Sequence, residues 1–175
     1  AYWCERPFPW RRQLDDLAAE SGSPACIALT GGEPLLMADE AVAFFSRASE
    51  LFPAAHLRLY TSGDLLSREL IDRLVRAGLH EIRFSVKQDD KPELLEKVLE
   101  RMAWAREQVL TVMVEMPVIP GTDSFMKELL AKLDALGVDG VNLLEFAYAM
   151  WNWPVFDSLG LTLRNPPQQV VFDYT

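Results

Sequence analysis

At 175 residues and 50% hydrophobic, the chain can bury one substantial core and is expected to form one main domain. Seventeen basic against 26 acidic side chains leave a net charge of −9, which argues against nonspecific nucleic-acid binding and against an anionic membrane surface. No run approaches the roughly 18 apolar residues that span a bilayer, no secretory leader pattern is present, and two cysteines cannot build the disulfide framework of a small secreted fold. A reducing, cytoplasmic setting is the expectation.

In chain order, residues 1–9 read as loop, with Pro7, Phe8 and Pro9. Leu14, Leu17 and Ala18 at helical spacing predict a helix over 10–20 that ends at Ser21-Gly22. A short apolar run predicts a buried first strand over 26–30, broken by Gly31, Gly32, Glu33 and Pro34. Val42, Phe45 and Ala48 share one face of a helix over 39–51, stopped by Pro53, and a strand over 56–61 closes at Ser62-Gly63. The next helix, 66–77, turns Leu70, Ile71, Leu74 and Val75 inward and has Gly78 just past its end. A strand over 81–87 precedes Asp90-Lys91-Pro92-Glu93, a D-x-x-E start like a capping box, which opens a helix to about 107. A strand over 109–118 ends at Pro120-Gly121. A helix over 123–136 carries Phe125, Leu129, Leu133 and Leu136 on one side and stops at Gly137. The last clear strand covers 141–146. From 147 to 175 the chain is an irregular, aromatic-rich tail with room for a short strand over 170–172.

Strands alternating with helices of 10–15 residues predict a parallel sheet with crossover helices. Order alone does not separate a barrel from an open doubly wound sheet, although no G-x-G-x-x-G or P-loop pattern supports a nucleotide fold. Strand alternation discriminates better. Ile82, Phe84 and Val86 oppose Arg83, Ser85 and Lys87; Leu57 and Leu59 oppose Arg58 and Tyr60; Val112, Val114 and Met116 oppose Thr111, Met113 and Glu115. Parallel strands covered on both faces are nearly continuously apolar. One polar face on three neighbouring strands instead favours a partial barrel around a polar interior, over a two-layer fold with one wet face. Charges inside must pair, and Glu115 facing Arg83 or Arg58 is the expected pair.

The bend after the first strand carries the strongest chemical signal. Paired glycines let backbone approach a ligand closely, proline fixes the turn that follows, and Glu33 puts a carboxylate at the strand's carboxyl end, where α/β folds bind ligands. Together with Trp3-Cys4, the run Leu29-Thr30-Gly31-Gly32-Glu33-Pro34 resembles the radical S-adenosylmethionine (SAM) superfamily. Its members carry C-x-x-x-C-x-aromatic-C and a GGE(P) motif after the second strand. Cys4, preceded by aromatic Trp3, matches the third cysteine. Ala1 stands where the second would fall, and the first would precede the chain. The expectation is therefore that residues are missing before Ala1, with a Cys→Ala exchange at position 1 also open.

The resemblance implies an α/β fold, a partial (β/α) barrel of the radical SAM type over residues 1–146 with its first strand missing. It implies a [4Fe–4S] cluster, with Cys4 as a metal ligand, and SAM as cofactors. One electron from the cluster cleaves SAM to a 5′-deoxyadenosyl radical that abstracts hydrogen, so an electron-donor protein is an implied partner. Carried over by position, Gly31, Gly32 and Glu33, followed by Pro34, would hold the methionine amino group, and Trp3 would lie near the adenine. Thr61-Ser62-Gly63 resembles the family's T-N-G, with Ser62 departing from asparagine. Ser85 and Lys87 match positions that bind ribose hydroxyls and the SAM carboxylate. Glu115 sits on the inner face of the next strand, and the loop from Pro117 to Gly121 matches one that packs on adenine.

Cys26, beside Ile27 at the far end of its strand from Gly31, reads as a small buried structural group. His56 and His80 also begin strands and lack metal-ligand spacing. The tail aromatics Tyr148, Trp151, Trp153 and Phe156 either cap the core or line a substrate pocket. Two other readings stay open: a radical-SAM-like binding or scaffold domain without a cluster, and a lyase or aldolase using Lys87 as a Schiff base. The substrate, a small molecule or a peptide, is not encoded legibly.

Overall fold

The computed structural model describes residues 9–20, 22–86, 91–145, 153–158 and 160. In order these form α1 (Trp10–Ala19), β1 (Cys26–Leu29), a 3-10 turn (Pro34–Met37), α2 (Ala38–Leu51), β2 (His56–Thr61), α3 (Arg68–Arg76), β3 (Glu81–Ser85), α4 (Pro92–Arg106), β4 (Thr111–Val118), α5 (Asp123–Leu136), β5 (Gly140–Glu145) and α6 (Trp153–Ser158). The expected strand over 170–172 lies outside the described residues.

All five strands are parallel, and their order in the sheet is their order in the sequence. A doubly wound sheet reverses its strand order partway; this one does not. Consecutive helices touch each other, α1 on α2, α2 on α3, α3 on α4 and α4 on α5, so they form a single layer over one face. Sequential strands under one helical layer are the topology of one arc of a (β/α) barrel.

Registry sorts the side chains. Leu29, Leu59, Ile82 and Val112 lie side by side across four strands, with Ile27 and Leu57 one two-residue step before them and Phe84 and Val114 one step after. Leu57, Leu59, Ile82, Phe84, Val112, Val114 and Met116 are fully buried, packed with Phe45, Ala48, Ile71, Leu74, Met102, Leu129 and Leu133 from the helices. At roughly 1.5–3 kcal/mol per fully buried aliphatic or aromatic side chain, this apolar layer is the main stabilising term. The opposite face carries Arg58, Tyr60, Glu81, Arg83, Ser85, Met113, Glu115 and Asn142. It is more enclosed than a solvated face: the Arg58, Arg83, Glu115 and Glu81 side chains are only 22%, 18%, 17% and 6% exposed.

Local chemistry explains the ends. Ser67 caps α3 by accepting from the Leu70 N–H at 3.1 Å, with Glu69 in its first turn and Arg73 and Arg76 in its last. The expected capping box on α4 is corrected. Lys91 is its N-cap with no side-chain bond and Pro92 is the first helical residue, a position where proline's missing N–H costs nothing. Asp90 is outside the described residues. Cys26 is corrected too. It is exposed, because β1 is an edge strand among the described residues and its register with His56 turns Cys26 to the polar face.

Gly63, just beyond β2, has φ +84, and a Cβ there would lie 2.7 Å from two Phe84 ring carbons. Gly63→Ala is therefore expected to lower stability by about 1–3 kcal/mol through left-handed strain and overpacking, measured by chemical denaturation. Unchanged stability would contradict this packing.

Candidate functional site

The carboxyl ends of β1–β4 open on a cleft of about 620 Å³ lined by Thr30, Gly31, Gly32, Glu33, Tyr60, Thr61, Ser62, Asp64, Ser85, Leu94, Val98 and Glu115. That volume is within the range of small-molecule sites, roughly 300–1,000 Å³. Three carboxylates and no Lys or Arg are among the lining residues, so the cleft suits a ligand bearing positive charge.

Glu33 organises its near wall. The residue caps the 3-10 turn: its Oε1 accepts from the Leu35 N–H at 3.0 Å and from Thr61 Oγ1 at 2.8 Å. Oε2 accepts from the Ser62 N–H at 2.7 Å and lies 2.8 Å from Ser62 Oγ. The glycine bend is thereby fastened to the end of β2. Gly31 has φ +137, a conformation that favours glycine, but Gly32 does not, and a Cβ at either position would meet nothing within 4 Å. Neither crowding nor backbone strain accounts for Gly32.

Below the cleft runs a ladder of ion pairs. Arg83 bonds Glu81 Oε1 through Nε at 2.5 Å and Glu115 Oε1 through Nη1 at 2.6 Å. Asn142 Nδ2 donates to the same Glu115 oxygen at 3.3 Å. Arg58 Nε lies 2.9 Å from Glu81 Oε1 but is not aligned for a hydrogen bond, and its Nη1 donates to the Tyr60 hydroxyl at 3.4 Å. Of the two expected partners for Glu115, it is Arg83 that makes the contact, while Arg58 takes Glu81.

His56 Nε2 is 2.7 Å from Glu81 Oε2, and its ring stacks on His80 with centroids 5.4 Å apart. Burial works to raise the Glu81 carboxyl. Hydrogen bonds from Arg83 and His56, with the charges of Arg83 and Arg58, outweigh it and hold that group below its ordinary range. Burial, then the neighbouring His56, pushes His80 down, consistent with His80 Nδ1 accepting the Leu57 N–H at 3.1 Å. Both histidines stand at the strand starts, away from the cleft.

Of the residues singled out in the sequence, Gly31, Gly32, Glu33, Ser62, Ser85 and Glu115 converge on this cleft. Pro34 begins the 3-10 turn and Pro117 lies further along β4; neither lines it. Trp3, Cys4 and Lys87 lie outside the described residues. Tyr60, Asp64, Leu94 and Val98 were not foreseen. Strand alternation already put Tyr60 on the polar face, whereas the approach of Leu94 and Val98 depends on how α4 crosses the sheet. Among the described residues no group of three or more His, Cys, Asp or Glu could hold a metal ion, and no helix is long and apolar enough to cross a membrane.

Comparison with known proteins agrees with this geometry. Residues 10–133 match a family model described as the Radical SAM superfamily. A Methanocaldococcus jannaschii protein, whose provisional name is glycyl-radical enzyme activating enzyme, is 27% identical over 128 residues, 69% of this chain and 34% of that protein. The chain thus spans about a third of that relative. Among solved structures, native anSMEcpe with bound AdoMet superposes with a TM-score of 0.64 at 16% identity, over 83% of this chain and 44% of that one. The same protein with AdoMet and the Cp18Cys peptide gives 0.63 at 16%, over 79% and 43%. At that identity the likeness is one of fold.

Glu81→Gln leaves two guanidinium groups short of a buried partner and should destabilise the protein by roughly 3–5 kcal/mol at neutral pH. A depressed folded-state value means that Glu81 contributes fully above its ordinary value of 4.5 and loses that contribution as pH falls. The gap between wild type and Glu81→Gln in denaturant titrations should therefore hold steady at neutral pH and narrow only as pH falls below 4.5; a gap that widens there would refute the ladder.

Proposed function

Because the chain belongs to the radical SAM superfamily, we propose that the cleft binds SAM and that the protein uses it, with a [4Fe–4S] cluster, to start radical chemistry on a substrate. The observation that carries this reading is Gly32. Its backbone is ordinary and the space beside it is empty, so the missing side chain is best explained by a ligand that must come close.

The residues fit SAM. An ammonium and a sulfonium suit a cleft lined by Glu33, Asp64 and Glu115. Exposed Ser85 offers a hydroxyl to the ribose, and Leu94 with Val98 offers an apolar surface to the adenine. Lys87 is proposed to meet the SAM carboxylate, Trp3 and the segment from Pro117 the adenine, and Pro34 to hold the bend. The ladder beneath keeps the inner face rigid and water-poor, which protects a radical from side reactions.

The cluster does not fit on the described residues. Two cysteines in the sequence are fewer than the three thiolates it requires, and Cys26 is at the opposite end of β1 from Gly31. Cys4 is one proposed ligand. In the family it supplies the electron that cleaves the sulfonium to methionine and a 5′-deoxyadenosyl radical. This chain's own part is to bind, orient and shield SAM. The M. jannaschii relative's name supports a protein substrate, activated at a glycine, and the reaction needs an external electron donor. Two cysteines, too few for a disulfide framework, support a reducing, cytoplasmic setting.

Anaerobic reconstitution of the full-length protein with iron and sulfide, then reduction with SAM, is expected to yield 5′-deoxyadenosine. Absence of both cluster absorption and SAM binding would end the proposal. Gly32→Leu should weaken SAM binding by at least tenfold, about 1.4 kcal/mol, with unchanged thermal stability, read by calorimetry and melting.

A further inference from the structure

The Glu33 carboxylate is fully engaged inside the protein. Four donors surround its two oxygens: Leu35 N–H, Thr61 Oγ1, Ser62 N–H and Ser62 Oγ. A carboxylate offers about four lone-pair sites. Three of those donors belong to Thr61 and Ser62 at the end of β2 and the fourth to Leu35 just past the bend, so the carboxylate ties the glycine bend to β2. With Ser62 donating to Glu33, an arriving ammonium would have to displace one of these donors.

Asp64 presents the contrast. It is exposed in the same cleft, and its hydrogen bond among the described residues is to Ser62 Oγ at 2.6 Å. That hydroxyl also lies 2.8 Å from Glu33 Oε2, yet serine has one proton to donate. If the proton goes to Glu33, Asp64 has no donor. If it goes to Asp64, Glu33 still keeps three. In either arrangement the unmet acceptor capacity is greatest on the Asp64 side of Ser62, facing open cleft.

We propose that Glu33 is a positioning residue that locks the glycine bend to β2, and that Asp64 supplies the carboxylate that pairs with the ligand's ammonium. This rests on the cleft being the SAM site. The division accounts for two features together: a glutamate saturated by its own scaffold, and a nearby aspartate left undersupplied with donors at the cleft wall. An ammonium contributes three N–H donors, enough for Asp64 and for backbone carbonyls of the bend.

The test uses the full-length, anaerobically reconstituted protein and two probes, SAM and 5′-methylthioadenosine, which keeps the nucleoside and sulfur but lacks the amino-acid end. Asp64→Asn is expected to melt like wild type, to bind SAM at least tenfold more weakly, and to bind methylthioadenosine unchanged. Glu33→Gln puts an amide NH₂ against backbone donors. Its ligand-free form is expected to melt roughly 5 °C lower, with faster hydrogen exchange at the Leu35 and Ser62 amides and similar losses for both probes. Wild-type SAM affinity in Asp64→Asn overturns the proposal. So does a Glu33→Gln protein that melts normally and loses SAM selectively, since that would make Glu33 the ligand. If wild type binds neither probe, the SAM reading itself falls, and the ligand-free melting of Glu33→Gln still reports on the lock.

Discussion

The interior face of this sheet depends on one buried anion. Glu81 is 4% exposed and lies against Arg58, Arg83 and His56. Either of the two guanidinium groups would be costly on an enclosed face without it, because a desolvated guanidinium needs a partner. With Glu81 in place, Arg83 is free to reach across to Glu115 through its other arm. A strand face that would otherwise have to be apolar can then stay polar, and a polar interior is what separates a ligand-holding wall from a sheet buried on both sides.

On that foundation the cleft is assembled by adjacency. Four strand ends bring a bend, a hydroxyl pair, Ser85 and Glu115 within one cavity of about 620 Å³. No single element contains the site. The ends of β1 and β2 contribute four lining residues each, β3 and β4 one each and α4 two, and the parallel register aligns the strand ends. The same register puts Cys26, His56 and Glu81 together at the other end, which is why the histidines take part in stabilising the sheet rather than in the cleft.

Much of this was legible in the residue pattern. Alternation in 81–86 and 111–118 assigned the two faces correctly, because a period of two maps directly onto a pleated strand. Gly31-Gly32-Glu33-Pro34 marked the cleft because few other purposes need that combination at a strand end. The misses share a cause. Cys26 looked buried because its strand is apolar in composition, but exposure depends on what lies beside an edge strand, which local sequence does not state. The capping box failed by one residue because Pro92 is itself a good helix start and set the boundary. The 3-10 turn over Pro34–Met37 was invisible because its key contact, Glu33 with the end of β2, joins residues 28 and 29 apart.

Strand order that follows chain order also shapes how such a wall changes over evolutionary time. Every strand lies next to the one made just before it, and every connection passes over the same side. A further βα unit appended beside β1 or β5 would need no rethreading and would cross no existing connection. The architecture is thus extensible at both margins, so the breadth of the enclosed chamber, and with it the bulk of the molecule admitted, can drift while the bend and its lock stay as they are.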